Sequence, residues 1–397
     1  MANQLLIKNV RRQGQSAADL LVRDGIIAEI GPALTPDTAG VPVIEGNNDL
    51  LIPALVEAHV HFDKTLWGLP WHGHQAGPLL TDRIAFEREY FSAQNLAPEP
   101  QAAAVVRQAI AMGSLHIRSH ADVTPELGLR RVEALLAIRE QFADQINLQI
   151  VAFPQLGVQA VPGTSALIDE AIALGADVVG GIDPSAIDRD PVAHLDAIFG
   201  IADRRGVGID IHHHETGNLG AFSIELIAER TRALGLQGRV MISHAYSLGS
   251  IAPSETARLA DLLAKQEIAI MTAAPGNVSF PPVKLLRDAG VTVCLGSDSI
   301  RDCWSPFGNA DMLERAMLLA MRSGFRTDAD LDLAFDLATY GGAHALGVND
   351  YGVEVGCQAD FVLLPYETQA ETIATRGPNR RVVSAGALIA NVGVYEA

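Results

Sequence analysis

His59-Val60-His61 places two imidazoles two residues apart at the end of an apolar run, Leu51–Val60, that reads as a β-strand. Alternate residues of a strand share a face, so both rings can point the same way. Other apolar runs also end on polar groups: Val207–His212 on His212, Arg239–Ser243 just before His244, and Val291–Leu295 shortly before Asp298. Three imidazoles and a carboxylate, from His59, His61, His212 and Asp298, suit one zinc or iron(II) ion and leave room for a water. Glu215 follows His212 closely enough for its carboxylate to be expected at that water. One histidine at a strand end is usually a polar residue tolerated at a rim; such residues at the ends of several strands are better explained by a shared site.

The remaining histidines are weighed one by one. His72-Gly73-His74 repeats the spacing, but in a loop rich in glycine, proline and tryptophan, and is set aside as a decoy. Strict alternation turns His213 away from the first four candidates; for His214 a structural role is favoured over one supporting the site or facing the substrate. His120, in Arg118-Ser119-His120-Ala121-Asp122, is balanced between support and substrate contact. His116, His194 and His344 receive no chemistry.

Positioning these groups requires strands whose ends meet. Further strand-like runs cover Leu115–His120, Ile146–Phe153, Asp177–Ile182 and Ile268–Ala273. Helix-patterned segments lie between most of them: Pro100–Met112, Ser165–Leu174, His194–Arg205, Ile224–Leu234 and Ala257–Gln266, with Asp311–Ser323 and Asp328–Leu346 after the last strand. Eight strands alternating with helices predict an α/β fold, a (β/α)8 TIM barrel, whose active site lies at the C-terminal strand ends. A doubly wound nucleotide-binding sheet is disfavoured because no Gly-x-Gly-x-x-Gly follows a strand. Short strands crowd both termini, among them a hairpin across Asp24-Gly25. They predict a small β-sandwich built from 1–52 and 350–397 around a catalytic barrel at 53–349.

Composition narrows the function. A net charge of −18 argues against nucleic-acid binding, since phosphates would be repelled. Three cysteines, with no Cys-x-x-Cys, support neither a disulfide framework nor the cysteine-armed zinc site of cytidine deaminases. No apolar run approaches the ~20 residues of a membrane helix, and the N-terminus lacks a secretory pattern. A cytoplasmic protein with no membrane partner is expected.

Pro53-Ala54-Leu55-Val56-Glu57-Ala58-His59-Val60-His61 resembles the first-strand signature of the amidohydrolase superfamily, and Gly352–Asp360 resembles its return into a β-sandwich. More narrowly the chain is similar to the branch holding cytosine deaminase and N-isopropylammelide isopropylamidohydrolase, through His61-Phe62-Asp63-Lys64, Arg118–Val123, Gln149–Gln155, Ile209–His212, Ser243-His244 and Ser297–Trp304. The resemblance implies a metal-dependent hydrolytic deaminase of a small nitrogen heterocycle, in which activated water attacks the amino-bearing ring carbon and ammonia leaves. Asp298 would accept the water's proton, Glu215 would protonate the ring nitrogen and help deliver a proton to the leaving amine, and His244 would polarise the water and stabilise the developing charge. Gln155, Ser299 and Trp304 would contact the substrate. Cytosine deaminase has a second aspartate where this chain has Ser299, and the ammelide branch has asparagine there. Hydrolysis of an N-alkylaminotriazine or a cyclic amide is the alternative, and a non-catalytic binding or assembly barrel the remote one. Two-metal relatives bridge their ions with a carboxylated barrel lysine; the lysines here are Lys8, Lys64, Lys265 and Lys284, none in a predicted barrel strand. A single ion and a homo-oligomer are expected.

Overall fold

The structure, a computed structural model, describes residues 4–36, 40–71, 73–75, 77, 80–276 and 278–396. His72, of the pair set aside as a decoy, lies outside the described residues.

The N-terminal strands β1 (Gln4–Val10), β2 (Ala18–Arg23), β3 (Ile26–Gly31) and β4 (Val43–Glu45) form one sheet in the order β3-β2-β1-β4. Strand β5 (Leu50–Pro53) leads into β6 (Leu55–Val60), the first barrel strand. The barrel continues through β7 (Ser114–Asp122), β8 (Asn147–Phe153), β9 (Val178–Ile182), β10 (Gly208–His212), β11 (Val240–Ser243), β12 (Ala269–Thr272) and β13 (Val293–Leu295). These eight strands are hydrogen-bonded to their chain neighbours and run parallel. Strands β14 (Phe361–Leu364), β15 (Arg381–Ser384), β16 (Ala387–Asn391) and β17 (Val394–Tyr395) join β5 in a third, antiparallel sheet. Leu5, Ile7, Leu20 and Ile27 of the first sheet pack with Leu51, Phe361, Leu363 and Val383 of the third in one apolar core. The expected TIM barrel with a small sheet unit from both termini is thus the observed fold.

Twelve helices lie among the described residues: α1 (Leu80–Gln94), α2 (Pro98–Ala111), α3 (Arg130–Gln141), α4 (Thr164–Leu174), α5 (Pro191–Arg205), α6 (Gly217–Leu234), α7 (Pro253–Lys265), α8 (Val283–Asp288), α9 (Met312–Arg322), α10 (Asp328–Leu337), α11 (Tyr340–Leu346) and α12 (Gln369–Thr375). None is long and apolar enough to cross a membrane. The apolar faces of most outer helices close on the barrel strands in a continuous core; Ile198 of α5, Ile224 of α6 and Leu259 of α7 are fully buried there.

Two sequence expectations change. The run Leu51–Val60 is two strands: Ala54 N–H donates to Asp360 O (3.0 Å) and Leu55 N–H to Gly113 O (2.8 Å), so the chain changes sheet within one residue. Pro53 lacks an N–H donor and sits at the break. The helix expected over Asp328–Leu346 divides at Thr339, whose backbone (φ −134°, ψ −99°) is not helical. Helices α1, α3, α8 and α12 were not anticipated. In α1, charged and apolar residues mix without a clear apolar stripe.

Candidate active site

The eighth and first strands close the barrel through the candidate ligands themselves. Asp298 N–H donates to His59 O (2.9 Å) and His61 N–H to Asp298 O (3.1 Å). Above this seam the side chains converge. His61 Nε2 lies 3.2 Å from His212 Nε2. Asp298 Oδ1 lies 3.4 Å from His61 Nε2 and 3.7 Å from His59 Nε2. One ligand atom from each of the four residues falls within 4.8 Å of all the others.

This donor set fits a cation. His59 Nε2 is buried without a hydrogen-bond partner, and two imidazole nitrogens facing each other at 3.2 Å can share at most one proton. Buried lone pairs aimed at one point are costly unless something positive accepts them. Burial pushes His61 down to about 4 and His212 well below the usual imidazole range. Burial would raise Asp298, but His59 and His61 beside it hold its carboxyl well below the usual range. Neutral imidazoles and an ionised carboxylate are the protonation states a metal requires.

The backbone that aims these groups is unusual. Asp183 and His244, the residues directly after β9 and β11, and Asp298, three residues past β13, all have positive φ (33°, 73° and 60°). Such backbone is held against strain at functional sites. Gly296 makes the seam possible, because a Cβ there would lie 2.6 Å from both Cβ and the carbonyl oxygen of His59.

His244 is fully buried and its ring centroid is 5.0 Å from that of His59. It stacks on His214, centroids 4.5 Å apart with 24° between planes. The His214 side chain is 36% exposed, and its Nδ1 lies 2.8 Å from Asp183 Oδ2. Burial opposes its charge, but Asp183 outweighs burial and raises it above the usual imidazole range.

Glu215 is held by the chain around it. Its Oε1 accepts the amides of Ser185 (2.6 Å) and Ala186 (2.8 Å), and its Oε2 accepts the Ser223 hydroxyl. Two of these bonds tie the carboxylate to the chain beyond β9. Asp183 Oδ1 accepts the amides of both His214 (2.6 Å) and Glu215 (3.2 Å), turning the segment after β10 so that His214 faces the opening. His213 is buried with its Nε2 3.7 Å from Glu215 Oε2, away from the ligands as alternation requires. His120 is fully buried, its ring 4.0 Å from that of His59.

Two of the three expected substrate contacts, Gln155 and Trp304, gather around Lys64. Lys64 Nζ donates to Gln155 Oε1 (2.6 Å) and lies 4.8 Å from the Trp304 ring. Burial works against the Lys64 charge, but Asp122, Glu87 and Asp63 outweigh it. Trp304 Nε1 donates to Glu87 of α1, and Ser299 hydrogen-bonds Asp302. A cavity of about 610 Å³ lies against this group, lined by Ile84, Glu87, Phe91, Asp122, Arg131 and Gln155 among others. The only earlier sign of Lys64 was its place in His61-Phe62-Asp63-Lys64.

A parallel eight-stranded barrel with a His-x-His pair, a third histidine and an aspartate converging at its strand ends defines a metal-dependent hydrolase. The chain belongs to the amidohydrolase family, whose sequence model matches residues 43–390. It is 34% identical over 336 residues to N-isopropylammelide isopropyl amidohydrolase of Pseudomonas sp. strain ADP, covering 81% of each chain. Its fold superposes on the crystal structure of N-isopropylammelide isopropylaminohydrolase from Burkholderia multivorans with a TM-score of 0.96, at 44% identity, covering 99% of this chain and 100% of that one. The 5-methylcytosine deaminase of Klebsiella pneumoniae, solved with 5-fluorocytosine, matches with a TM-score of 0.85 at 29% identity, over 97% of each chain. The protein is accordingly a hydrolase of C–N bonds.

Proposed function

We propose that this protein is a cytoplasmic, homo-oligomeric enzyme that hydrolytically removes an exocyclic amino group from a small nitrogen heterocycle, releasing ammonia. One zinc or iron(II) ion would be held by His59, His61, His212 and Asp298. The observation that carries the reading is the convergence of these four ligand atoms within 4.8 Å of one another, with the Asp298 side chain 35% exposed at the opening. When bound, such an ion supplies Lewis-acid activation of a water at neutral pH.

The chain's own residues provide the rest. Asp298, ionised and open to the mouth, accepts the proton of the attacking water. His244, with both ring nitrogens unpartnered, is free to donate to the negative charge that builds up as the ring carbon is attacked. His214, oriented by Asp183, delivers a proton to the leaving amine, the part expected of Glu215. Glu215 is assigned instead to holding the loop after β9 through Ser185 and Ala186. Lys64 orients the Gln155 amide, whose nitrogen can then donate to the heterocycle, and Trp304 walls the same side.

A second reading, release of an alkylamine from an N-alkylaminotriazine, is favoured by the 44% identity to the Burkholderia multivorans enzyme. Metal-loaded protein offered cytosine, isocytosine, creatinine, pterin and N-alkylaminotriazines separates the two. Ammonia supports the first reading and alkylamine the second. Ring opening without either product, or no turnover of any of these heterocycles, refutes both.

A further inference from the structure

Beneath the four ligands lies a second buried group, His59, His120 and Asp210, whose ligand atoms also fall within 4.8 Å of one another. Its geometry argues against a second cation. Asp210 Oδ2 already receives Arg118 Nη1 (3.3 Å), so a positive charge stands where the ion would be needed. Asp210 Oδ1 accepts the Ser243 hydroxyl (2.6 Å), and Ser243 Oγ lies 2.9 Å from His59 Nδ1. Asp210 and Ser243 are both fully buried, so water does not compete for these bonds.

The directions of these bonds are forced. The carboxylate only accepts, so Ser243 must give it its one hydroxyl proton. Ser243 Oγ can then only accept from His59, which places the His59 proton on Nδ1. His59 Nε2 is left as a bare lone pair, and it is this atom that faces Asp298 and the other ligands. Arg118 is fixed in turn by Gln149, whose Oε1 accepts Nε (3.0 Å) and Nη2 (2.8 Å).

We infer that Ser243 and Asp210 are positioning residues that set the tautomer and orientation of His59 for metal binding, with Arg118 balancing the buried carboxylate. The inference rests on the proposed metal site. Among the described residues nothing equivalent serves His61 or His212, whose Nδ1 atoms are buried without partners. His59 is thus the ligand with a built support, and its loss should be felt as metal affinity. Outer hydrogen-bond partners of metal-bound histidines typically matter by about 10- to 100-fold.

The test is zinc affinity by chelator competition, with the thermal unfolding of the metal-free protein and the visible spectrum of the cobalt(II)-loaded protein measured alongside. Ser243→Ala should raise the zinc dissociation constant about 10- to 100-fold, alter the cobalt spectrum and leave the metal-free melting temperature near that of wild type. Asp210→Asn keeps an acceptor oxygen and should give a smaller rise. Wild-type affinity and an unchanged cobalt spectrum in Ser243→Ala overturn the inference. If Ser243→Ala does not fold, Asp210→Asn decides, and an unchanged constant there overturns it equally. Two zinc equivalents in wild type falling to one in Ser243→Ala would replace the support with a second ion. A wild-type protein that binds no zinc overturns the metal site itself, a failure distinct from that of its support.

Discussion

His61 and Asp298 are joined twice: the His61 amide donates to the Asp298 carbonyl (3.1 Å), and His61 Nε2 lies 3.4 Å from Asp298 Oδ1. The backbone contact that closes the barrel therefore also sets the spacing between ligands from its first and last strands. Asp298→Ala removes the carboxylate while leaving the backbone bonds, so the metal-free protein should fold. Zinc should raise the melting temperature of wild type, as any ligand specific to the folded state does, but not that of the variant. A zinc-dependent rise persisting in Asp298→Ala would remove Asp298 from the ligand set.

The seam also depends on Gly296, where an added Cβ meets His59 at 2.6 Å. The opposing atoms belong to the backbone and Cβ of a ligand, so the clash cannot be relieved by a side-chain rotation. Gly296→Ala should lower stability by about 1–3 kcal/mol and weaken zinc binding together. Denaturant unfolding and chelator competition measure the two effects. Full zinc affinity in a destabilised variant would show that His59 is not the group displaced.

The different settings of His214 and Glu215 predict different losses. His214→Gln should keep its metal and its melting temperature but lower turnover about 100- to 10,000-fold. Glu215→Ala strips the amides of Ser185 and Ala186 of their acceptor and should cost about 1–3 kcal/mol of stability. Glu215→Gln should retain more activity than His214→Gln. Near-complete inactivity of a stable Glu215→Gln, with His214→Gln active, would return proton delivery to Glu215.

Asp188 predicts a pH dependence of stability away from the ligands. Burial opposes its charge, but His194 at 2.6 Å and the amides of Gln159 and Ala160 outweigh burial and lower it below the usual carboxylate range. A carboxyl lowered on folding contributes stability fully above its ordinary titration range, and the contribution is lost as pH falls through the folded value. The melting-temperature difference between wild type and Asp188→Asn should therefore be largest above about pH 5 and shrink toward pH ~3. A difference that stays constant across this interval would mean that shape, not charge, matters at Asp188.

The sequence by itself determined the barrel and the four converging side chains. Apolar runs of strand length recur with helices between them, and polar residues at the strand ends His59, His61, His212 and Asp298 stand out against that pattern because a strand's period is short and local. It did not determine which way residues face once the chain leaves a strand. Alternation holds through His213, but Asp183, from the neighbouring strand end, captures the amides of His214 and Glu215 and sets how the chain turns there. Lys64 was equally hidden, because its partners Asp122, Gln155 and Trp304 come from distant parts of the chain. The same holds for the orientation of His59, fixed through Ser243 by Asp210, residues that no spacing connects to it. Local periodicity places a side chain at the mouth of the barrel; only the contacts made after the barrel closes decide where it points and what proton it holds.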